Sequence, residues 1–328
     1  MHKKISLKIG IVMDPILSIN IKKDSSFAIL LEAQNRGHII YYMELNDLYL
    51  NNGKSYAIMR LIKIKKNKNK WFEFINEQDI PLNTLDAILM RKDPPFNTEF
   101  IYSTYILENA EKNGVLVLNK PQSLRNYNEK IFISDFPRFT PDTLVTRNII
   151  KIKNFWKKHR DIILKPLHSM GGNNIFRITE NDTNFSVIAE NMTHCEKKFC
   201  MVQKYLKDIK YGDKRILIVN GNPIPWCLNR IPKSGETRAN LAVGGIPKIQ
   251  KLNETDFKIA NFLSPILKKN GLIFVGLDII GSKLTEINIT SPTGICEIES
   301  EQNISITGML IDYIEKNLRK KYYDSIRI

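Results

Sequence analysis

The first third of the chain is a regular succession of short apolar runs and glycine-stopped amphipathic segments, and that order limits the fold more than any single motif. LKIGIVMD reads as a buried strand, SSFAILLEAQNRG as a helix stopped at Gly37, and HIIYYMEL as a second strand. After a polar excursion, DAILMRKD is another strand; FIYSTYILENAEKNG is an amphipathic helix ending at Gly114, and VLVLN follows. Alternation of this kind builds a parallel sheet covered by helices, an α/β layer. Loops at the carboxyl ends of such strands face ligands, and here they are residues 13–20 and 91–99. Both carry Asp-Pro, a pair that also suits a plain turn.

The pattern changes after Pro121. SLRNYNEKIFISDF reads as a helix carrying Lys130, and DTLVT, a helix through IKIKNFWKKHR, and the strands IILKPL and NIFRIT follow. IILKPL carries Lys165, and the turn behind it contains Gly171 and Gly172. FCMVQKYL and KRILIVNGNPIPWCLNRI are further strands, and GETRANLAVGG (residues 235–245) is a glycine-bounded loop. Strands and helices in this order suit an α+β module.

Near the end, FVGLDII and LTEINIT alternate about a Gly-Ser-Lys break, the mark of a hairpin. Glu286 and Asn288, two apart on a strand, share a face. Asp278 joins that face if it lies opposite Glu286, which a three-residue connection through Gly281, Ser282 and Lys283 would achieve and a tight two-residue turn would not. Two carboxylates and an amide are the oxygen donors a hard cation takes when it carries phosphates. The same residues would also serve a hairpin showing one polar face to water.

Composition narrows the partners. The 328 residues carry a formal charge of +15, which raises the question of nucleic acid or membrane. The excess comes from 36 Lys against 13 Arg in a chain crowded with Ile and Asn, residues of AT-rich codons, and it is dispersed. The densest run, KIKKNKNK (residues 63–70), has neither aromatics nor Arg and reads as a solvated surface loop. Neither nucleic acid nor membrane is therefore expected as a partner. Cys195, Cys200, Cys227 and Cys296 lack C-x-x-C spacing, so reduced thiols fit better than zinc. The basic start MHKK precedes an apolar run that Lys8 interrupts, so a first strand is expected there rather than a leader, and the expected location is cytoplasmic.

A strand lysine followed by a Gly-Gly turn can hold a triphosphate: the ammonium supplies charge, and glycine lets backbone N–H groups approach oxygen. Lys165 with Gly171 and Gly172 has that form, and Lys130 offers a second cation. No Walker A or G-x-G-x-x-G pattern is present. The linear order of two lysines, a glycine turn, a strand ending in QKYL, then Asp and Glu-x-Asn on late strands is that of an ATP-grasp enzyme. GIVMDP, LMRKDPPFNTEFIY, NKPQSLRNYNEK, ILKPL with MGG, GDKRILIV, GETRANLAVGG, GLIFVGLDIIG and LTEINITSPTG together resemble bacterial glutathione synthetase, from about Leu7 to the closing helix.

That resemblance implies a Rossmann-like, pre-ATP-grasp N-terminal domain (residues 1–125), then an ATP-grasp fold of two parts. A central lid would span residues 126–205, and a C-terminal part, residues 206–328, would carry the metal site and a mobile loop, residues 231–246. It implies ligation of γ-glutamylcysteine to glycine with ATP through an acyl phosphate. Lys130, Lys165, Gly171 and Gly172 would meet the phosphates, and Gln203, Lys204, Tyr205 and Leu206 would hold adenine at the hinge. Asp278, Glu286 and Asn288 would bind two Mg²⁺ ions, with Mn²⁺ as a substitute. Arg215, Arg230 and Arg238 would serve catalysis and the loop, and a homotetramer is implied. His168, Ala239 and Cys296 depart from the family pattern near the phosphate turn, in the loop and after SPTG. Other ATP-grasp carboxylate-amine ligases, D-alanine ligase-like or glutamate-ligase-like, and a nucleotide or nucleic-acid binder without catalysis, are the competing readings.

Overall fold

The computed structural model describes the backbone of residues 6–326; the basic start MHKK lies outside the described residues. Three sheets organise the chain. The first is built from β1 (Lys8–Val12), α1 (Ser25–Asn35), β2 (Ile39–Met43), β3 (Leu48–Asn51), β4 (Lys54–Ile64), β5 (Phe72–Pro81), β6 (Ala87–Met90), α2 (Thr98–Lys112), β7 (Leu116–Leu118) and α3 (Pro121–Asn126). Strands β2, β1, β6 and β7 run parallel, as the strand and helix alternation requires. The polar excursion corrects the purely parallel expectation, because β3, β4 and β5 extend the sheet antiparallel at the β2 edge. KSYAIMRLIKI alternates buried and exposed positions, enough for a half-buried strand, whereas β5 is mostly exposed and is held by its pairing to β4. Lys63 and Ile64 thus end a strand, and only the rest of the lysine run is loop.

The second sheet, ordered β10-β9-β11-β8, comprises β8 (Thr143–Thr146), α4 (Ile149–His159), β9 (Ile162–Pro166), β10 (Phe176–Ile178), α5 (Phe185–Thr193) and β11 (Cys200–Lys204). Its two helices seal a small core of its own, including Ile152, Leu164, Phe185 and Val202. The third sheet, β14-β13-β12-β15-β16, contains β12 (Asp213–Val219), β13 (Asn222–Ile231), β14 (Ile246–Lys251), α6 (Glu254–Lys269), β15 (Phe274–Ile280) and β16 (Lys283–Asn288), and α7 (Ile295–Glu301) and α8 (Ile306–Ile326) follow. The first and third sheets share continuous cores; Val12 and Ile88 lie in the same cluster as Leu277 and Ile287. Between α3 and β8, the aromatic residues Phe132, Phe136 and Phe139 join that shared core rather than the small one.

Two local expectations need correction. Lys130 is not on a continuous helix: α3 ends at Asn126, and a separate 3-10 turn spans Ile131–Asp135. The Asn128 side chain makes the break by accepting from the backbone N–H groups of Lys130 and Ile131, both at 3.1 Å. The hairpin connection is also shorter than expected. Ile280 pairs with Lys283 across a two-residue turn, yet Asp278 still faces Glu286 because the register shifts by one residue between Asp278 and Ile279. Thr285 is the extra residue of a β-bulge, so the bulge performs the alignment assigned to a longer loop. Gly281 holds the turn with φ +58°, and Lys214 Nζ donates to its carbonyl at 3.1 Å. No helix among the described residues is long and apolar enough to cross a membrane.

Candidate active site

Where the second and third sheets face each other, a cleft of about 840 Å³, counting the solvent at its mouth, is lined by Lys130, Lys165, Asp278 and Glu286 together with the Gly171-Gly172 turn and residues 203–206. Lys165 reaches it from β9, and Lys130 from the break before the 3-10 turn; both are buried. Lys165 Nζ donates to the Thr285 carbonyl and to Glu286 Oε1, each at 3.3 Å. Thr285, the bulged residue, is thus the one whose carbonyl Lys165 meets. Lys130 Nζ donates to Ser169 O at 2.7 Å and lies 3.7 Å from Glu286 Oε1. Two ammonium groups therefore converge on one carboxylate, an arrangement ready to receive a polyanion.

Gly171 and Gly172 both have positive φ, +68° and +81°. A Cβ on Gly172 would lie 2.8 Å from Asn240 Oδ1, so this turn allows the 235–245 loop to approach closely. Arg238 fastens the approach: its NH1 donates to Gly172 O at 3.3 Å, and its NH2 pairs with Glu236 at 2.7 Å. At the opposite end, Gln203 is buried and donates from Nε2 to Thr143 Oγ1 at 3.1 Å. Tyr205 donates its backbone N–H to Asp161 O at 3.0 Å, and the Arg177 guanidinium stacks 3.7 Å from its ring centre. Lys204 and Leu206 flank it along the same wall, although the end of β11 leaves the Lys204 residue exposed.

A second hollow adjoins the first at Asp278 and Glu286 and is lined by Arg215, Arg230, Asn288 and Asp93. Arg215 holds Asp278 with two bonds, Nε to Oδ1 at 2.5 Å and NH2 to Oδ2 at 3.0 Å, and Arg230 NH2 reaches Oδ2 at 3.0 Å. Burial alone would raise the Asp278 pKa, but the two guanidinium groups outweigh it and hold the carboxyl well below its ordinary value. Burial likewise opposes ionisation of Glu286, and Lys130 and Lys165 pull its pKa down. Lys165 itself is pushed down by burial, with Glu286 opposing. All three metal candidates thus gather at one place: Asp278 and Glu286 are cross-strand partners, and Asn288 Nδ2 donates to Gly276 O at 3.2 Å, which leaves its amide oxygen uncommitted to that bond.

Asp213 escaped the sequence reading. It lines the first cleft, accepts from Arg230 NH2 at 2.6 Å, and keeps a buried Oδ1 with no protein partner. Burial pushes its pKa up to about 6. The signal was present in GDKRILIV, since Asp213 and Arg215 stand two apart on one strand and share a face. Of the three departures, His168 lines a small side hollow, Ala239 is buried beside Arg238, and Cys296 Sγ lies 3.4 Å from Asp24 O.

The depressed carboxyls fix a pH dependence. A carboxyl whose folded pKa lies below its unfolded value contributes stability at neutral pH that is lost as pH falls through the folded value. Asp278 and Glu286 should therefore make denaturant resistance fall below roughly pH 4, where unfolded carboxylates take up protons. Asp213 has the opposite sign: between roughly pH 4 and about 6, its raised folded pKa makes rising pH unfavourable. Urea unfolding midpoints over a pH series check this. An Asp213→Asn variant should lose only the second trend.

Comparison with known proteins bears on what this geometry serves. Residues 7–125 match the family model described as prokaryotic glutathione synthetase, N-terminal domain, and residues 129–303 match prokaryotic glutathione synthetase, ATP-grasp domain. The chain is 71% identical over 318 residues to the glutathione synthetase of Buchnera aphidicola subsp. Acyrthosiphon pisum, covering 97% of this chain and 99% of that protein. It is 61% identical over 315 residues to the glutathione synthetase of Escherichia coli K12, covering 96% and 100%. Among solved structures, D-cycloserine synthetase DcsG superposes with a TM-score of 0.65 at 11% identity, covering 95% of this chain and 99% of that one. D-alanyl-alanine synthetase A from Vibrio cholerae superposes with a TM-score of 0.59 at 13% identity, covering 96% and 99%. At such identity these two structures speak for the ATP-grasp fold alone.

Proposed function

The chain belongs to the prokaryotic glutathione synthetase family, and from that premise we propose that it ligates γ-glutamylcysteine to glycine at the expense of ATP, releasing ADP and phosphate. The observation that carries the reading to the site is the convergence of Lys130, Lys165, Arg215 and Arg230 on the cross-strand pair Asp278 and Glu286.

A cysteinyl carboxylate does not react with an amine, so it must first acquire a leaving group. A carboxylate oxygen attacks the γ-phosphorus, the bond to ADP breaks, and an acyl phosphate forms; the glycine amine then attacks the acyl carbon and phosphate departs. In this reading the nucleotide occupies the first cleft, with adenine at Gln203, Lys204, Tyr205 and Leu206 and its phosphates toward Lys130, Lys165, Gly171 and Gly172. Lys165 and Lys130 exchange part of their contact with Glu286 for phosphate oxygens. Arg215 and Arg230 lie on the far side of Asp278, in the second hollow, where a guanidinium can grip the substrate carboxylate or the transferring phosphoryl group. Their bonds to Asp278 fix them in advance, so little reorganisation is needed. Arg238 and Asn240, drawn onto Gly172, close the cleft from above and keep water from the acyl phosphate.

The donor set suits a hard divalent cation. Asp278, Glu286 and Asn288 offer only oxygen, and an ionised carboxylate has lone pairs enough for both a guanidinium and an ion. We assign these three residues to Mg²⁺, with Mn²⁺ as a substitute. The ion's contribution there is to neutralise charge on the β- and γ-phosphates.

The test is phosphate release by purified protein with ATP and Mg²⁺. It should require γ-glutamylcysteine and glycine together, and D-alanine should not replace glycine. Release with one amino-acid substrate alone, or none at all, contradicts the proposal.

A further inference from the structure

We infer that Glu129 is a positioning residue for the cation site, holding the outer edge of β16 so that Asn288 and Glu286 face the cleft together. The inference rests on the assignment of Asp278, Glu286 and Asn288 to the cation.

Strand β16 lies at the end of its sheet, with β15 on one side only. An edge strand has a row of N–H groups without ladder partners and is free to shift unless something covers it. Here the cover is the segment between α3 and β8. Leu284 N donates to Phe139 O at 2.8 Å, and Ile287 N donates to the Glu129 carbonyl at 2.9 Å. Beyond Asn288 the strand ends, and the Glu129 side chain takes over. Its Oε1 accepts from Ile289 N at 2.8 Å, from Thr290 N at 2.9 Å and from Thr290 Oγ1 at 2.8 Å. One residue thus grips the backbone on both sides of Asn288, with its own carbonyl before it and its carboxylate after it.

The next residue along the chain, Lys130, reaches across to Glu286 and Ser169 O. The Glu129-Lys130 pair therefore joins the free edge of the hairpin to the phosphate turn. The bulge at Thr285 makes this hold consequential. A one-residue slip of an edge strand reverses every side chain, and the bulge already departs from regular pairing within one residue of Glu286. The turn end is tied by Lys214 to Gly281 O, and the far end is tied by Glu129.

Outer groups that orient cation ligands typically alter affinity by about 10- to 100-fold when removed. The experiment is calorimetric titration of a non-hydrolysable ATP analogue into purified protein, with and without Mg²⁺, alongside thermal unfolding of each variant. Glu129→Ala should lose about tenfold of the affinity increment that Mg²⁺ confers and bind the analogue nearly as well as the parent when Mg²⁺ is absent. Glu129→Gln keeps an acceptor oxygen in place and should restore most of the increment. Should the alanine variant fail to fold, Glu129→Asp, which withdraws the acceptor by one methylene, is expected to show a smaller loss of the same kind. An unchanged increment, an equal loss with and without Mg²⁺, or no rescue by glutamine overturns the role assigned to Glu129. If the parent protein itself gains no affinity from Mg²⁺, the cation assignment fails instead, which is a different result.

Discussion

Asp278→Asn is expected to reduce ligation at least 10³-fold and to destabilise the free protein by roughly 3 kcal/mol. Both effects follow from one carboxylate having two sets of partners. Arg215 and Arg230 are buried, and their shared anion is Asp278, with Asp213 as a second partner of Arg230 alone. Removing that charge leaves the Arg215 guanidinium desolvated beside a neutral amide, and breaking a buried pair from one side is costly. On the assignment proposed above, the activity loss adds a missing cation oxygen and an Arg215 no longer held by its anion, whereas Arg230 keeps Asp213. Glu286→Gln separates the terms. Glu286 is partly exposed at the cleft, and its lysines have other acceptors in Thr285 O and Ser169 O, so its loss should abolish turnover with a smaller change in stability. Urea unfolding and phosphate release on the two variants check the contrast; equal destabilisation would contradict it.

The hairpin illustrates what was legible beforehand. Residue types told which donors were present, and period-two alternation placed Glu286 and Asn288 together. The position of Asp278 was right for a different reason: a two-residue turn and a bulge at Thr285 replaced the three-residue connection. A bulge leaves no compositional mark, because Thr is at home in any strand. It is selected by tertiary demands, here Thr285 O receiving Lys165 and Thr285 Oγ1 donating to Asp278 O at 3.1 Å.

SLRNYNEKIFISDF, which contains neither Gly nor Pro, reads as one helix carrying Lys130. The break comes from Asn128 bonding its own neighbours and from Glu129 pairing with β16, some 160 residues away in sequence. No local window contains that partner. The antiparallel extension was missed for the opposite reason: alternation in KSYAIMRLIKI was visible, but its mate β5 is too polar to read as a strand alone. Order along the chain carried the rest. Two lysines, a glycine turn, the strand end at residues 203–206 and a late pair of acids stand far apart in sequence, and the cleft is where the second and third sheets bring them together.

Lys165→Met is expected to lower turnover by about 10²- to 10³-fold while leaving the free protein as stable as its parent or slightly more so. Lys165 is buried, and its pKa is pushed down by that burial against the pull of Glu286, so the folded protein bears a cost for keeping it charged. Methionine fills a similar volume without that cost. Glu286 keeps Lys130 as a cationic neighbour at 3.7 Å, and the carbonyl of Thr285 gives up only one long bond. On the proposed assignment, what disappears is the positive charge that would face the transferred phosphoryl group, which no other residue on β9 can replace. The measurement pairs thermal unfolding with saturation kinetics. For a lysine at the phosphate site, kcat falls together with the affinity for ATP, because the ammonium meets the phosphates both before and during transfer. A variant that unfolds early but, where folded, turns over normally would mark Lys165 as a structural ion-pair residue and remove it from the phosphate site.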